Sequence, residues 1–239
     1  MYLKKNKNVS LSSNSDLEKI GEYLSGFSLG TSNNKKDVEP FCCLIYVYFL
    51  VKAELLNFPM DVIWDNSPDF AFSFANSSIG LEVTTATDQG YLHAISVSPK
   101  DSLIEMPEYK FNATSKKTVK RGIRNPGESL QSNGWAGYGM EKQWIECVKR
   151  SIIEKTELLN KPHFKKFNAN ELVIYDHTPT VCPDLNYAIS HMNNIYQEQI
   201  NKHEVEIFFD KIHVIMRSNR LLYDLFGSCR DIDISKASI

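Results

Sequence analysis

The sequence predicts an α/β domain, a mixed sheet flanked by helices. Three observations lead there. Period-two alternation places Phe70, Phe72 and Phe74 on one face, and Leu81, Val83 and Thr85 on another, as paired strands do. Apolar stripes at helical spacing run through the segments near residues 140–160 and 183–200. These helical segments alternate with the apolar runs "ELVIYD" and "EIFFDKIHVIM", an order that requires crossover connections.

Taken in chain order, residues 1–36 are rich in Ser, Asn and Lys and read as a polar tail. Within it, Ser15 with Glu18 three residues on is a capping-box start for a short helix. Residues 37–239 then read as one domain. Asp37 caps a helix that has Pro40 in its first turn and runs to about Asn57. It contains "FCCLIYVYFLV", eleven apolar residues where a bilayer span needs about twenty, so no membrane partner is expected. A buried helix fits this run; a buried strand is the alternative, because periodicity cannot separate the two over so short a stretch. Strands follow at "DVIW", "PDFAFSFA" and "IGLEVTTA", with "NSS" as the turn between the last two.

From about residue 88 to 139 no period holds, a length that makes the segment functional or mobile rather than an ordinary connection. It carries Lys110, Lys116, Lys117, Lys120, Arg121 and Arg124, with no acid between Glu108 and Glu128. A helix from about Met140 to Asn160 and the strand "ELVIYD" come next. The helix "PDLNYAISHMNNIYQEQI" and the strand "EIFFDKIHVIM" complete the pattern.

Composition narrows the function. At 239 residues and 42% apolar content the chain can bury a substantial core. A net charge of −2 excludes a globally basic nucleic-acid binder, so any basic surface is local. Five cysteines, an odd number without zinc or haem spacing, suggest reduced thiols; with no apolar h-region at the N-terminus, a cytoplasmic protein is expected. The six histidines form no HxH, i,i+4 or HExxH spacing, and neither GxSxG, a P-loop nor GxGxxG occurs. "GWAGYG" reads as a close-packed turn before a helix, Asp184 as an N-cap, and Asp210 as structural.

The strands around residues 66–88 hold the chemistry. If Ala75 pairs with Ser78 or Ile79, Asp69 lies opposite Thr84 or Thr85, and Glu82 is a diagonal neighbour. Such neighbours stand roughly 5–8 Å apart. Both carboxylates point away from the apolar faces. Two carboxylates this close either share a proton or hold a cation between them, and all-oxygen ligation suits Mg²⁺ or Mn²⁺. The alternative is an edge hairpin whose polar face simply meets water.

"PDF" on one strand followed by "GLEVT" after a short turn resembles the PD-(D/E)xK nuclease superfamily, which has the restriction-endonuclease-like fold. The order of elements from about Asp37 to Phe226 is similar to that family's core as well. The resemblance implies that Asp69 and Glu82 bind Mg²⁺ or Mn²⁺. It also implies a lysine two residues after the second acid, but that position is Thr84, which supplies no positive charge.

Some families of this fold move the lysine to the following helix. At about 100° per residue, setting Trp144 at 0° puts Val148 near 40°, Leu159 near 60°, Ile152 near 80° and Lys155 near 20°. Lys155 therefore sits inside the apolar stripe, where an ammonium must find a carboxylate or snorkel to water. Glu141, near 60° at the same 100° spacing, is a weaker candidate for a third acid. On the first helix, Glu39 and Glu54 fall off the stripe set by Phe41, Ile45, Tyr48 and Leu56, and Lys52 falls on it.

The expected function is that of a metal-dependent nuclease with Asp69, Glu82 and Lys155 as catalytic residues. Lys116, Lys117, Lys120, Arg121 and Arg124 would hold the nucleic-acid backbone by charge. DNA is the expected partner, and cutting both strands of a duplex favours a homodimer. The alternative is a catalytically inactive module that keeps the fold for nucleic-acid binding or protein interaction, and Thr84 is its main support.

Overall fold

A computed structural model describes residues 8–13, 15–16, 18–20, 35–56, 58–87, 138–178, 182, 184–201, 208–216, 221–225 and 232–233. Among the described residues the fold is α/β, with a mixed eight-stranded sheet in which spatial order follows chain order. The strands are β1 (Asn8–Leu11), β2 (Met60–Trp64), β3 (Phe70–Ser73), β4 (Ser78–Ala86), β5 (Ala169–Asp176), β6 (Lys211–Met216), β7 (Leu221–Asp224) and β8 (Ile232–Asp233). The helices are α1 (Lys35–Lys52), α2 (Gly139–Leu159) and α3 (Leu185–Asn201). β1 to β4 form an antiparallel meander, β4, β5 and β6 run parallel, and β7 and β8 return antiparallel.

Strand alternation sorts the core into two layers. Phe70, Phe72, Leu81, Val83, Val173, Tyr175 and Ile215 point to one face and pack with α1. Ala86, Leu172, Ile174, Ile212, Val214 and Met216 point to the other and pack with residues of α2 and α3. Parallel strands covered on both faces read as unbroken apolar runs, which explains "LVIY" in β5. The run "FCCLIYVYFLV" is helical, and Phe41 to Leu50 are all buried. Among the described residues, no helix is long and apolar enough to cross a membrane.

Described residues within the expected polar tail take part in the fold. Asn8–Leu11 forms the first strand of the sheet, paired with β2, and Leu11 and Ile20 are buried in the core. Val9 and Leu11 alternate with polar neighbours over only four residues, too short a pattern to register against the Ser/Asn background. Residues 15, 16 and 18–20 are helical as expected, but the start is tied by Asp16, whose Oδ2 accepts the Ser12 N–H at 2.9 Å. β7 and β8 are likewise additions to the expected pattern.

Cys42, Cys43, Cys147 and Cys182 are buried and not in disulfides. Asp184 caps α3, with Oδ1 accepting the Tyr187 N–H at 2.9 Å, and Asp210 accepts the Asn170 N–H at 2.7 Å; both residues are structural, as their sequence context suggests. Lys52 is exposed and lies 5.8 Å from the centre of the Tyr48 ring.

Candidate functional site

The β3–β4 hairpin differs in register from the sequence expectation, and the difference matters. Ser73 pairs with Ser78 and Phe70 with Leu81, closed by a Phe74 N–H donated to Ser77 at 2.9 Å. The tight turn is thus Phe74–Ser77, two positions from the Ala75–Ser78 pairing and three from the Ala75–Ile79 one. A two-residue shift leaves every side chain on its face but moves it along the partner strand. One step beyond the Phe70–Leu81 pair, Asp69 stands across from Glu82 rather than from Thr84 or Thr85.

Asp69 lies just before β3, where its carbonyl accepts the Asp65 N–H at 2.8 Å and closes the β2–β3 loop. Its Oδ2 accepts the Val83 N–H at 2.9 Å. Burial pushes its pKa up to about 7, the charge of Glu82 and more weakly that of Glu39 add to the rise, and the Val83 N–H and Lys155 oppose it. Glu82 is 3% exposed. Its Oε1 accepts a hydrogen bond from Lys155 Nζ at 2.6 Å, while its Oε2 is buried without a hydrogen-bond partner.

Lys155 reaches Glu82 because α2 packs on β4. Ser151 Oγ lies 3.2 Å from the carbonyl oxygens of both Thr85 and Cys147, which fixes the helix against the strand one turn before Lys155. The Lys155 side chain is 17% exposed. Its place within the apolar stripe therefore corresponds to an ammonium that meets a carboxylate rather than one that snorkels away. Thr84, two residues beyond Glu82, is half-buried.

Glu39 is a functional candidate that the stripe criterion set aside. It is buried near the start of α1, accepts a hydrogen bond from Trp64 Nε1 at 3.3 Å, and its charge reaches Asp69. The stripe criterion failed because residues 41–50 of α1 are buried on every side, so the helix has no polar face to which an acid would be consigned. Glu54 is exposed beyond the end of α1.

Glu141 is not a third acid of this site. It is buried near the other end of α2, about 21 Å along the helix axis from Lys155. Its Oε1 accepts the Asp184 N–H at 3.2 Å, so it ties α2 to the start of α3. Lys110, Lys116, Lys117, Lys120, Arg121 and Arg124 lie outside the described residues.

A second buried polar cluster occupies the α1 side of the sheet. Glu171 Oε2 lies 2.9 Å from the Tyr46 hydroxyl, which donates to it, and 2.9 Å from His213 Nε2. Burial pushes Glu171 up, but His213, Lys211 and the Tyr46 hydroxyl together outweigh it and hold the carboxyl below its usual range. Glu171 escapes sequence reasoning, since one acid at the start of a buried strand gives no distinguishing signal. His213 is a satisfied core histidine, as expected.

The donor atoms decide which metal the hairpin site could hold. Among the described residues no group of three or more His, Cys, Asp or Glu is placed to hold a metal ion. Two carboxylates are present, one with an orphaned buried oxygen. That set suits Mg²⁺, which commonly binds through one or two carboxylates and fills its other positions with water and phosphate oxygens. Comparison of the chain with protein-family models, curated proteins and solved structures gives no match.

Proposed function

We propose that the chain is a metal-dependent nuclease of the restriction-endonuclease-like kind, hydrolysing phosphodiester bonds at Asp69, Glu82 and Lys155. The observation that carries this reading is the 2.6 Å contact between Lys155 and Glu82, with Asp69 across the hairpin. It supports the reading because a lysine from a different element meets Glu82, where "GLEVT" itself has none. The order helix, three-strand meander, helix, parallel strand also supports the reading.

Asp69 and Glu82 would hold Mg²⁺ or Mn²⁺, and the ion would supply an acidified water and draw charge from a phosphate oxygen. Glu82 would have Oε2 available for the ion, since that oxygen has no hydrogen-bond partner while Oε1 accepts from Lys155. The Val83 N–H fixes one oxygen of Asp69. The Lys155 ammonium, held in a largely buried site, stabilises negative charge as it develops on the phosphate. Thr84 favours a second reading, a module that binds nucleic acid without cutting it. In that case oligonucleotides bind but survive Mg²⁺ intact.

Metal binding should register as stability. Mg²⁺ or Mn²⁺ at about 100 times its Kd should stabilise the chain by about 2.7 kcal/mol, seen as a rise in Tm. Replacing Asp69 by Asn together with Glu82 by Gln should abolish the rise. A double variant that responds as the parent does would place the metal elsewhere.

A further inference from the structure

The loop that joins α2 to β5 lies against the hairpin site. Residues 160–168 read "NKPHFKKFN", with three lysines, one histidine and no acid. Lys161, His163, Lys165 and Lys166 are exposed. Among the described residues none of the three lysines forms an ion pair, and the exposed Glu154 and Glu157 on the preceding turns of α2 do not pair with them.

The loop is held at several points. Phe164 is buried in the core beneath α2, and its N–H donates to the Lys161 carbonyl at 3.0 Å. The Asn170 side chain brackets Phe167, accepting its N–H at 3.2 Å and donating to its carbonyl at 3.4 Å. Ser78 Oγ donates to Asn168 Oδ1 at 2.8 Å, which ties the loop to the start of β4. The Phe167 ring rests on Gly80: a Cβ there would stand 2.6 Å from Phe167 Cδ2 and 3.0 Å from Pro68 Cγ, so only glycine allows the approach. Lys165 Nζ lies 4.9 Å from the centre of the same ring. Gly80 is two residues before Glu82 on the same face of β4, about 7 Å away along the strand, and Pro68 directly precedes Asp69.

We propose that this loop is a nucleic-acid contact surface, with Lys161, Lys165 and Lys166 holding the phosphate backbone beside Asp69, Glu82 and Lys155. The inference rests on the nuclease reading and names the part of the substrate that the site grips. The chain as a whole is slightly acidic, so a polyanion needs a local cluster of free cations. Here that cluster sits on a backbone ordered in advance, which reduces the ordering cost of binding. Lysines meet phosphates as point charges and carry no sequence information, so the contact secures affinity and placement rather than base choice.

The test measures binding by fluorescence anisotropy with labelled single- and double-stranded DNA and RNA oligonucleotides, in EDTA, over a series of salt concentrations. The parent is compared with Glu82→Gln, checked by circular dichroism to be folded at the assay temperature, and with the triple variant Lys161→Ser, Lys165→Ser, Lys166→Ser, checked for an unchanged Tm. The triple variant should bind at least about tenfold more weakly at near-physiological salt, with its log–log salt slope smaller by about 2–3. Glu82→Gln should bind at least as well as the parent. A triple variant with the parent's Kd and slope overturns the proposal and leaves the nuclease reading standing. A parent that binds none of the oligonucleotides overturns both. Binding to phosphatidylserine vesicles in preference to every oligonucleotide overturns the assignment to nucleic acid.

Discussion

Replacing Lys155 by methionine should lower nucleic-acid cleavage by at least about 10²–10³-fold, the usual scale for removing one preorganised electrostatic contact from a reacting centre. Methionine fills much the same space between α2 and β4, so the fold should persist. The variant should nonetheless be less stable, because Glu82, 3% exposed, loses the ammonium 2.6 Å from Oε1. Breaking one partner of a buried pair costs about 3–5 kcal/mol, and the partial exposure of Lys155 places the loss at or below the lower end of that range. Thr84→Lys in the same background should restore part of the cleavage, since Thr84 follows Glu82 by two residues on the same strand face. Circular dichroism, denaturant melts and a cleavage time course together check the prediction. A variant that cuts as fast as the parent would remove Lys155 from the mechanism.

Replacing Asp69 by asparagine should abolish cleavage and, in EDTA, make the protein more stable at alkaline pH. The folded state holds the Asp69 carboxyl at about 7, against an ordinary value of 3.8. Burial is the main cause, with Glu82 second. Between those two values the folded chain keeps a proton that the unfolded chain has released. Asp69 is therefore no burden in acid, and its cost grows as pH rises towards neutrality and is complete above about pH 7. The cost is on the order of 4 kcal/mol, because the rise is about three units and each tenfold change in proton affinity is worth about 1.4 kcal/mol. Asparagine keeps an acceptor for the Val83 N–H and never ionises. The stability gap between variant and parent should be widest near pH 8 and should close towards pH 4. A gap of the same size at both ends would mean that Asp69 ionises freely in the folded protein. This combination, stability gained and activity lost, is expected of a residue kept for chemistry at the expense of the fold.

How far the sequence carried these conclusions differs from element to element. The strands around Phe70 and Leu81 and the helices α2 and α3 were readable from period, because each buries a face large enough to imprint its spacing, whereas "ELVIYD" and α1, buried on every side, were read from length and flanking residues. Lys155 was readable for the same reason, since a cation inside a strong apolar stripe has few places to go. The hairpin register was not, because "NSS" does not say which two residues occupy the turn. β1 was hidden by its shortness, and Glu39 by the all-round burial of α1. The partners of Glu171 come from α1 and β6, 125 and 42 residues away in the chain, and no local pattern reports pairings at that range. The loop at residues 160–168 carries no sequence signal of its own, because its lysines gain meaning only from Phe167 lying on Gly80 beside the site.

Under the proposed function, Asp69, Glu82 and Lys155 form a metal-dependent phosphodiesterase centre. The most direct measurement incubates the parent and Glu82→Gln with plasmid DNA and with single- and double-stranded DNA and RNA oligonucleotides, in Mg²⁺, in Mn²⁺ and in EDTA. The parent should cleave at least one substrate in a divalent metal and none in EDTA, and Glu82→Gln should lose about 10³-fold or more of that activity. Cleavage that is equal in parent and variant, or no cleavage of any substrate by a folded parent that still binds them, would contradict the proposed function.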